Sequence, residues 1–456
     1  MKYINSMYKF ILSLSILLLG TFSYAQNSAN SPFSSFALGE IGGLDHAAFI
    51  GIGNSTITMN DSTILNFYNP SSYHSLAKHQ PLFSIGLSTR FSTYSLNGIE
   101  AKSNLSNIQH FAIAFPFAKR FGLAFGLKPY ASKGYEFNSR IKVGNDSLNY
   151  IYSGTGNINE GFVGFSVKAL DFRGSKLSLG ANFGYLFGQI KNTRKSGLIQ
   201  TGTSIYAGGI NTKVVQTKAF HYTIGVDYTQ RINENQSISF SAVFDPFQNI
   251  SAKYEDALFY SSDINNPSLF DSLIVNDSLS GNISTIPTFT YGLRYELNFL
   301  GRKGKTNQLN SQLSFHLSYT SAKWAEYQNT FDPSFTNTFL NSTKYTFGIQ
   351  YLPETDYLRN IASTNFFSRV SYRAGIYQVK LPYVTNGEQV TDLGTTFGFG
   401  IPIVIQNSLS SLSLGFSIGK RGVNDSDALT EKYYGFNVGI SIAPGSDKWF
   451  VKRKLN

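Results

Sequence analysis

Cationic side chains recur at the polar positions of alternating segments in the second half of the chain. Four of these residues are the predicted ligand-binding set: Arg294, Arg369, Arg373 and His316. A guanidinium binds a carboxylate through two parallel hydrogen bonds, so an arginine in an enclosed pocket can hold an organic acid. Arg373 is the first candidate. The alternative is structural, because Glu296 and Asp227 have the same predicted orientation and enclosed charges also pair with each other or fasten one segment to another.

Histidine, the residue type that most often acts as a general base, shows no catalytic pattern here. The 6 histidines are at positions 46, 74, 79, 110, 221 and 316, and none lies in a His-Glu-x-x-His pair or a nucleophile elbow. The Gly-x-Gly sequences at 154–156 and 398–400 precede no helical pattern, so they are not nucleotide-binding fingerprints. A count of 0 Cys excludes thiolate metal sites and cysteine nucleophiles. We predict that the protein is not an enzyme and needs no metal or cofactor.

The first 25 residues have the pattern of a cleaved secretory signal. Lys2 and Lys9 give a positive start, an apolar run covers 10–19, and Ser23-Tyr24-Ala25 is a small-x-small cleavage pattern. The apolar run is shorter than the about 20 residues that a membrane-spanning helix needs. We therefore predict a signal peptide at 1–25 and export from the cytoplasm.

Composition indicates a protein whose outer surface faces lipid. The chain is 15% aromatic and 14% charged, whereas soluble domains have about 25% charged residues. The formal net charge is +11, but the basic residues are dispersed, apart from one cluster in a predicted basic tail at 445–456. No nucleic-acid-binding motif accompanies this charge. We predict contacts with outer-membrane lipids and lipopolysaccharide and none with nucleic acid.

Apolar and polar residues alternate along many segments, which is the pattern of strands with one apolar face. Phe289, Tyr291 and Leu293 share one face, for example, while Thr290 and Gly292 share the other. Fourteen segments are predicted strands: 82–95, 107–117, 121–131, 161–169, 176–189, 218–230, 236–247, 286–299, 309–320, 343–352, 366–377, 393–404, 409–418 and 433–443. An even number of strands, with apolar faces toward lipid and polar faces toward a lumen, is typical of bacterial outer-membrane barrels. We predict an all-β fold, a transmembrane antiparallel β-barrel over 81–444.

The connections between the predicted strands differ in length. Three are long: 132–160, 190–217 and 248–285. Four are short: 118–120, 170–175, 231–235 and 405–408. The connection at 353–365 breaks the contrast. Because outer-membrane barrels have long extracellular loops and short periplasmic turns, this pattern predicts a multi-pass protein of the outer membrane of a Gram-negative bacterium.

Residues 26–80 precede the first predicted strand and lack its clean alternation. They begin on the predicted periplasmic side, beneath a barrel whose lumen is wider than wall side chains alone can fill. We predict that they form an N-terminal plug inside the lumen. The alternative is a disordered leader, against which the apolar residues Ile50, Ile57, Leu65 and Phe67 argue.

Three features resemble a known family, the FadL-type outer-membrane transporters of long-chain fatty acids and toluene. Asn66-Phe67-Tyr68-Asn69-Pro70-Ser71-Ser72 is similar to the Asn-Pro-Ala signature of that family's plug, with Ser71 in place of Ala. The segment 115–130 resembles the family's early hairpin. The ending at 448–454 is similar to that of a divergent branch, although the chain does not end on an aromatic residue.

The resemblance implies passive uptake of hydrophobic small molecules, either long-chain fatty acids or aromatic hydrocarbons, with plug gating and lateral release. It implies gating roles for Tyr68, Asn69 and Pro70, although an architectural role fits these residues equally. Burying one methylene contributes ~0.8 kcal/mol, so such a ligand needs an apolar lining. Residues in the predicted loops are candidates for it, with ordinary loop packing as the alternative: Leu258, Phe259, Tyr260, Phe331, Phe335 and Phe339.

A second interpretation is a non-transporting scaffold that partners an outer-membrane secretion or surface-attachment complex. Small residues on the predicted lumen faces, such as Gly180, Gly398 and Gly415, admit a close-fitting plug under either interpretation. A transporter should show a continuous apolar pocket and a break in strand pairing. A scaffold should show a sealed lumen and an exposed apolar patch at the loops.

Overall fold

The computed structural model describes most of the chain after residue 30. The described residues are 31–42, 46–77, 81–116, 120–144, 146–199, 206–264, 270–299, 310–331, 338–355, 364–405, 408–425 and 427–444. The predicted signal peptide at 1–25 and the predicted basic tail at 445–456 lie outside these ranges. No helix within them is long and apolar enough to cross a membrane.

Strands make up most of the described chain. They are β1 (Glu40–Ile41), β2 (Leu82–Leu96), β3 (Ile99–Phe115), β4 (Phe121–Val143), β5 (Asp146–Phe172), β6 (Ser175–Ile199), β7 (Tyr206–Arg231), β8 (Gln236–Asp245), β9 (Asn249–Ser261), β10 (Phe270–Ser284), β11 (Thr288–Phe299), β12 (Ser311–Ala322), β13 (Ser342–Leu352), β14 (Ser371–Thr385), β15 (Glu388–Ile405), β16 (Ser408–Gly422) and β17 (Thr430–Ile442). Two short α-helices are α1 (Ala47–Ile50) and α2 (Phe366–Arg369). Four 3₁₀ turns cover Pro32–Ser35, Thr56–Thr58, Pro70–Ser75 and Trp324–Glu326.

The sheet closes on itself as an antiparallel barrel, because β17 pairs with β2 from Phe83 to Ser95. Two positions in the wall are each filled by a pair of consecutive strands. The first is β8 followed by β9, which pair with Ile224–Arg231 and Gly208–Thr217 of β7, respectively. The second is β10 followed by β11, which pair with β9 and β8. Within the described residues the wall therefore has fourteen positions, and the predicted fold class is confirmed.

The three long connections were wrongly predicted as loops. Residues 132–160 continue as the paired strands β4 and β5, and 190–217 contribute the upper parts of β6 and β7. Most of 248–285 forms the hairpin of β9 and β10. Above the membrane the outer face of the wall does not contact lipid, so apolar residues are not required there. The alternation of apolar and polar residues therefore disappears, although the backbone pairing continues. The upper end of the barrel is defined here as the end where β4 meets β5.

The wall rises much higher on one side than on the other. The strands β4 to β7 have 23, 27, 25 and 26 residues, more than twice the about 9–11 that cross a bilayer. On the other side β11 and β12 have 12 residues each. The tall side is a six-stranded curtain, which is formed by the upper parts of β4, β5, β6 and β7 together with β9 and β10.

The tight turns Asn97-Gly98 and Asn386-Gly387 have positive φ at both residues. Two-residue hairpins need this conformation because it matches the twist of the strands they join.

An apolar belt surrounds the outside of the barrel. Phe125 and Leu127 on β4 and Val163 and Phe165 on β5 are between 38% and 50% exposed. Polar groups alternate with them on the inner face, where Ser166 and Asn182, for example, are buried. An outward apolar band with an inward polar face is the arrangement of a membrane-spanning barrel.

The N-terminal segment lies inside this wall and touches most of its circumference. Helix α1 packs against β15, β16 and β17, and Thr56–Thr58 against β8, β11 and β12. The turn Pro70–Ser75 packs against β4 to β7. Phe49, Leu65 and Tyr73 have no exposed surface. Residues 46–77 therefore fill the lumen, and they are called the plug below.

Glycines on the inner face of the wall allow the plug to approach at backbone distance. A Cβ on Gly375 would lie 2.2 Å from the Gly53 nitrogen, and one on Gly348 would lie 2.4 Å from the Ile52 oxygen. A Cβ on Gly180 would lie 2.4 Å from Pro70 carbon. Side chains at these wall positions would displace the plug, because the neighbouring atoms are backbone and cannot rotate away.

Candidate functional site

The Asn-Pro signature is the hydrogen-bonding centre of the plug. The Asn66 amide donates to the carbonyl oxygens of Thr56 and Met59 at 2.8 Å each. The Asn69 amide donates to the Ile57 oxygen at 2.9 Å, and its own oxygen accepts from the Ser71 hydroxyl at 2.6 Å. These side chains join the Thr56–Thr58 turn to the Pro70–Ser75 turn, so the plug is one cross-linked body rather than a loose loop.

Tyr68, a predicted gating residue, lies among aromatic rings at the centre of the lumen. Its ring centroid is 4.8 Å from that of Phe67 and 6.3 Å from that of Phe49. The ammonium of Lys128 lies 5.2 Å from the Tyr68 ring and 3.3 Å from Glu160. The ammonium of Lys128 on β4 thus contacts both the plug, at the Tyr68 ring, and the wall, at the Glu160 carboxylate on β5.

Arg294 and His316, two of the predicted ligand residues, line one polar cavity of about 320 Å³ in the lower half of the lumen. Opposite them the plug contributes Met59 to Ser62. The guanidinium of Arg294 lies 3.8 Å from Glu296 and 3.2 Å from the Ser239 hydroxyl. His316 is 2% exposed, and its Nδ1 lies 2.9 Å from the Thr58 hydroxyl. The Nε2 of His316 is buried and has no hydrogen-bond partner among the described residues.

Arg373 lies against the plug rather than in that cavity. Its side chain is buried, and its Nε donates to Gln350 at 3.2 Å. Gln350 in turn lines the cavity of Arg294 and His316. A Cβ on Gly51, at the end of α1, would lie 3.1 Å from Arg373 Cβ. Three of the four predicted residues therefore belong to one connected polar region beneath the plug.

Arg369 does not belong to this region, and the prediction that it lies on a strand is wrong. The predicted strand 366–377 begins only at Ser371, and Arg369 is the last residue of helix α2 at the lower rim. Its Nε donates to the Thr364 carbonyl at 3.0 Å. The alternating pattern was extended over a turn of helix, where side chains do not alternate between two faces.

A charged cluster in the upper lumen ties β1 to the part of the wall formed by β15, β16, β17 and β2. Glu40 of β1 is ion-paired with Arg421 of β16. Arg421 also lies 3.2 Å from Asp392 and 3.6 Å from Glu431, and Glu431 lies 2.9 Å from Arg90. Arg90 is stacked on the ring of Tyr433, 3.6 Å from its centroid. Three carboxylates and two guanidinium groups thus share one site, and only Glu40 comes from the N-terminal segment.

The wall is interrupted between β3 and β4. Within the described residues these strands pair only from Phe111–Phe115 to Leu123–Leu127, whereas β4 pairs with β5 along its whole length. Above Leu127 the two strands separate. The N-terminal segment reaches into the opening, where β1 pairs with Ala131 and Ser132 of β4.

Irregularities in both strands explain the interruption. Gln109 is an extra residue in β3, because its neighbours Ile108 and His110 pair with consecutive residues of β2. Tyr130 is an extra residue in β4, directly after Pro129. A bulge bends its strand, and a proline lacks the N–H that would continue a ladder. Together they turn β3 away from β4.

A cavity of about 1040 Å³ fills the opening. Apolar residues of the β2–β3 hairpin and of β4 line much of it: Phe91, Leu96, Ile99, Ala101 and Phe137. Ile99 is 76% exposed and Phe91 52%. The predicted site residues do not include any of these. Pro129 in an otherwise clear strand was the one sequence signal that could have located the opening.

The predicted apolar loop lining has another role in most cases. Leu258, Phe259 and Tyr260 lie in strand β9. Phe331 stacks on Tyr254 at 5.2 Å, and Phe339 packs against Trp324 at 5.5 Å. Phe335 lies outside the described residues. Loop packing, the alternative interpretation, describes Phe331 and Phe339.

The comparison with known protein families gives one assignment. The model of the BamG family matches residues 7–456, nearly the whole chain. The chain belongs to the BamG family. No curated protein sequence is significantly similar to this member of the BamG family.

Solved structures share the fold of this BamG-family chain at low sequence identity. A FadL homologue of Pseudomonas aeruginosa is 12% identical with a TM-score of 0.53, covering 88% of this chain and 99% of its own. The P. putida toluene transporter TodX is 14% identical with a TM-score of 0.52, over 89% and 99%. A TodX deltaS2S3 mutant, a monoaromatic hydrocarbon channel, is 14% identical with a TM-score of 0.53, over 87% and 98%. The resemblance to FadL-type barrels therefore holds for the fold.

Proposed function

We propose that the protein is an outer-membrane channel of a Gram-negative bacterium for the passive uptake of hydrophobic small molecules. The ligand enters from the extracellular side, which is the upper end of the barrel. It leaves sideways through the opening between β3 and β4, which begins just above the belt residue Leu127, toward the outer leaflet. Long-chain fatty acids and aromatic hydrocarbons are the ligand classes, and we assign no catalytic role to any residue.

The observation that carries this proposal is the interrupted pairing of β3 and β4 with its partly apolar cavity. A closed barrel gains from pairing every strand edge, so an opening has a cost that a path for a ligand would explain. Phe91, Leu96 and Phe137 offer apolar surface to a ligand at the point where wall hydrogen bonds are missing. The fold shared with a toluene transporter and a hydrocarbon channel supports this use of the opening.

The polar cavity beneath the plug suits the head group of an acidic ligand. Arg294 supplies a guanidinium there, and His316 lies beside it, with a buried nitrogen that a ligand can reach only after the plug shifts. Arg373 acts on the same region through Gln350. Gating requires the plug to shift, and the cross-links of Asn69 together with the fixed turn at Pro70 make it move as a unit, carrying Tyr68 with it. In this proposal lipopolysaccharide and other outer-membrane lipids contact the outer rim.

Blocking the opening with a covalent label tests the proposal. Asn104→Cys places a thiol in the cavity between β3 and β4, and the count of 0 Cys in the native chain makes that thiol unique. A bulky maleimide on this residue should reduce uptake of a radiolabelled long-chain fatty acid at least tenfold. The matched control is Asn424→Cys, which is exposed in the β16–β17 connection, and its labelling should leave uptake unchanged. Equal uptake by both labelled proteins would rule out the lateral path.

A scaffold remains the second candidate because the lumen is tightly filled. Wall glycines meet the plug at backbone distance, and an apolar cluster including Ile158, Ile190 and Tyr327 closes the space above it. Mass spectrometry of co-purifying lipids separates the candidates, with Arg373→Ala as the comparison. Enriched fatty acids that are lost in the variant favour the channel. An empty barrel that brings down an outer-membrane protein favours the scaffold.

A further inference from the structure

Among the described residues, the upper part of β4 has an unpaired edge above the point where β1 ends. On one side β4 pairs with β5 up to the turn. On the other side, the described residues supply partners only as far as Gly134, whose oxygen accepts from the Ser31 amide at 2.8 Å. From Glu136 to Lys142 no described strand pairs with this edge. We call these seven residues the free edge.

The direction of the backbone groups along the free edge follows from Gly134. Both its N–H, which donates to the Ser34 hydroxyl at 3.0 Å, and its oxygen point away from β5. In a regular strand, the residues at every second position present their groups on the same side. The ladder with β5 has no irregularity above Ala131. The amides and carbonyls of Glu136, Asn138 and Arg140 therefore point into the opening.

We propose that the free edge binds an extended segment of a partner protein by strand addition at the extracellular surface. The inference goes beyond the proposed channel and does not depend on uptake. It has an internal precedent, because β1 and Ser31 already bind to the lower part of the same edge in this way. A partner segment continues that added strand toward the tip of the curtain.

Apolar side chains beside the free edge specify the segment. Phe137 and Ile141 project on the inner face of the sheet and are 38% and 52% exposed, although they lie above the belt. Ser139 lies between them. Across the cavity, Leu96 and Ile99 present further apolar surface. A segment with apolar residues at positions two apart on one face matches this arrangement, since directly adjacent strand residues on one face contact each other.

A second copy of this chain does not fit the free edge. Two barrels in one membrane have the same orientation, so their β4 strands can only meet in parallel. A parallel symmetric pair would bring Arg140 beside Arg140 and Lys142 beside Lys142. Like charges in such positions are destabilising, whereas a different protein avoids them.

The test uses a defined probe, a nine-residue acetylated peptide of alternating Val and Thr, and the purified full-length protein in detergent. Peptide binding is measured by fluorescence anisotropy, and protection of the Glu136 and Asn138 amides by hydrogen exchange. Asn138→Pro removes the N–H that points into the opening, and a proline at such an edge position keeps the ladder with β5 intact. Asn138→Ala keeps that N–H and is the matched control.

We expect the peptide to protect both amides in the native protein and in Asn138→Ala, with at least tenfold weaker binding to Asn138→Pro. Phe137→Ser should weaken binding while the barrel still assembles. Equal affinity for the Pro and Ala variants, or no binding at all, would overturn the inference. A dimer of the native protein, detected by light scattering and dissociated by Asn138→Pro, would also overturn the inference. It would show that the free edge binds a second copy of the chain. Uptake is measured on the native protein without peptide, so the channel can fail while the peptide still binds, and peptide binding can fail while uptake persists.

Discussion

Glu40 in the N-terminal segment is ion-paired with Arg421 on β16, which β17, β2 and β3 separate from β4, the strand with which Glu40 pairs. The short strand β1 is therefore held at two places on the wall, by backbone hydrogen bonds to β4 and by a charge on β16. The other carboxylates near Arg421, Asp392 and Glu431, belong to the wall itself. This difference makes the attachment of the N-terminal segment separable from the stability of the barrel.

Glu40→Gln should loosen the N-terminal segment without unfolding the barrel. The variant leaves two carboxylates and two guanidinium groups in the wall, so the remaining cluster is electrically balanced. Because Glu40 is 28% exposed and the remaining charges are balanced, the loss should be smaller than the about 3–5 kcal/mol that follows when a buried charge is left without a partner. Hydrogen exchange at residues 31–42 should accelerate by more than tenfold, while exchange in β15 to β17 stays slow. Arg421→Met leaves three carboxylates with one guanidinium, so this variant should lower the thermal midpoint of the whole barrel. Unchanged exchange in Glu40→Gln would contradict this account of the attachment.

Gly375→Ala should disturb the plug, whereas the same change at Gly161 should not. A Cβ at Gly375 meets the Gly53 nitrogen at 2.2 Å, but one at Gly161 has its nearest atom at 3.9 Å. Forcing a methyl group into a filled core costs about 1–3 kcal/mol. We expect a lower midpoint of thermal unfolding and faster chymotrypsin cleavage within 46–77 for Gly375→Ala alone. If both variants unfold like the native protein, the plug has more freedom in the lumen than the contacts indicate.

Stability should rise with pH above pH 8 because of Lys133, which lies on β4 above the belt. Its ammonium donates to the Ala37 carbonyl at 2.8 Å and to Asn192 at 3.2 Å. Burial lowers the pKa of Lys133 to about 8, while an unfolded lysine has a pKa of about 10.4. Between these values the unfolded chain binds a proton that the folded protein does not, so raising the pH favours folding. Below about pH 8 the destabilising effect is fully present.

Thermal midpoints of the native protein and Lys133→Met, measured from pH 7 to pH 10.5, test this prediction. The native midpoint should rise relative to that of Lys133→Met across the window. Lys102→Met, which changes an exposed lysine of β3, should follow the native curve. Parallel curves for the native protein and Lys133→Met would show that the burial of this ammonium does not affect folding.

Sequence periodicity was sufficient for the wall within the membrane and insufficient above it. Phe289, Tyr291 and Leu293 alternate because lipid contacts one face, and their strand was predicted within two residues of β11. Tyr135 and Phe137 have no such constraint, and their segment was predicted as a loop although it continues β4. Where both faces of a sheet contact water, backbone pairing does not produce an alternating pattern of apolar and polar residues.

The candidate sites divide in a similar way. Arg294 and His316 were placed in the lumen from alternation alone, and they share a cavity because they are direct neighbours on β11 and β12. The opening between β3 and β4 was not found. It depends on two extra residues, Gln109 and Tyr130, that shift pairing between distant segments. A shift of one residue in register cannot be read from either strand by itself.

The glycine contacts between plug and wall have a consequence for biogenesis. Because Gly180, Gly348 and Gly375 admit only backbone, the finished cylinder offers no clearance through which residues 46–77 could be threaded. The final seam joins β17 to β2, the last strand to the first, so closure must wait for almost the entire polypeptide. Such non-local closure is slow. The plug residues therefore have to lie between the edges of the open sheet before β17 pairs with β2. The barrel then closes around a plug that is already in place.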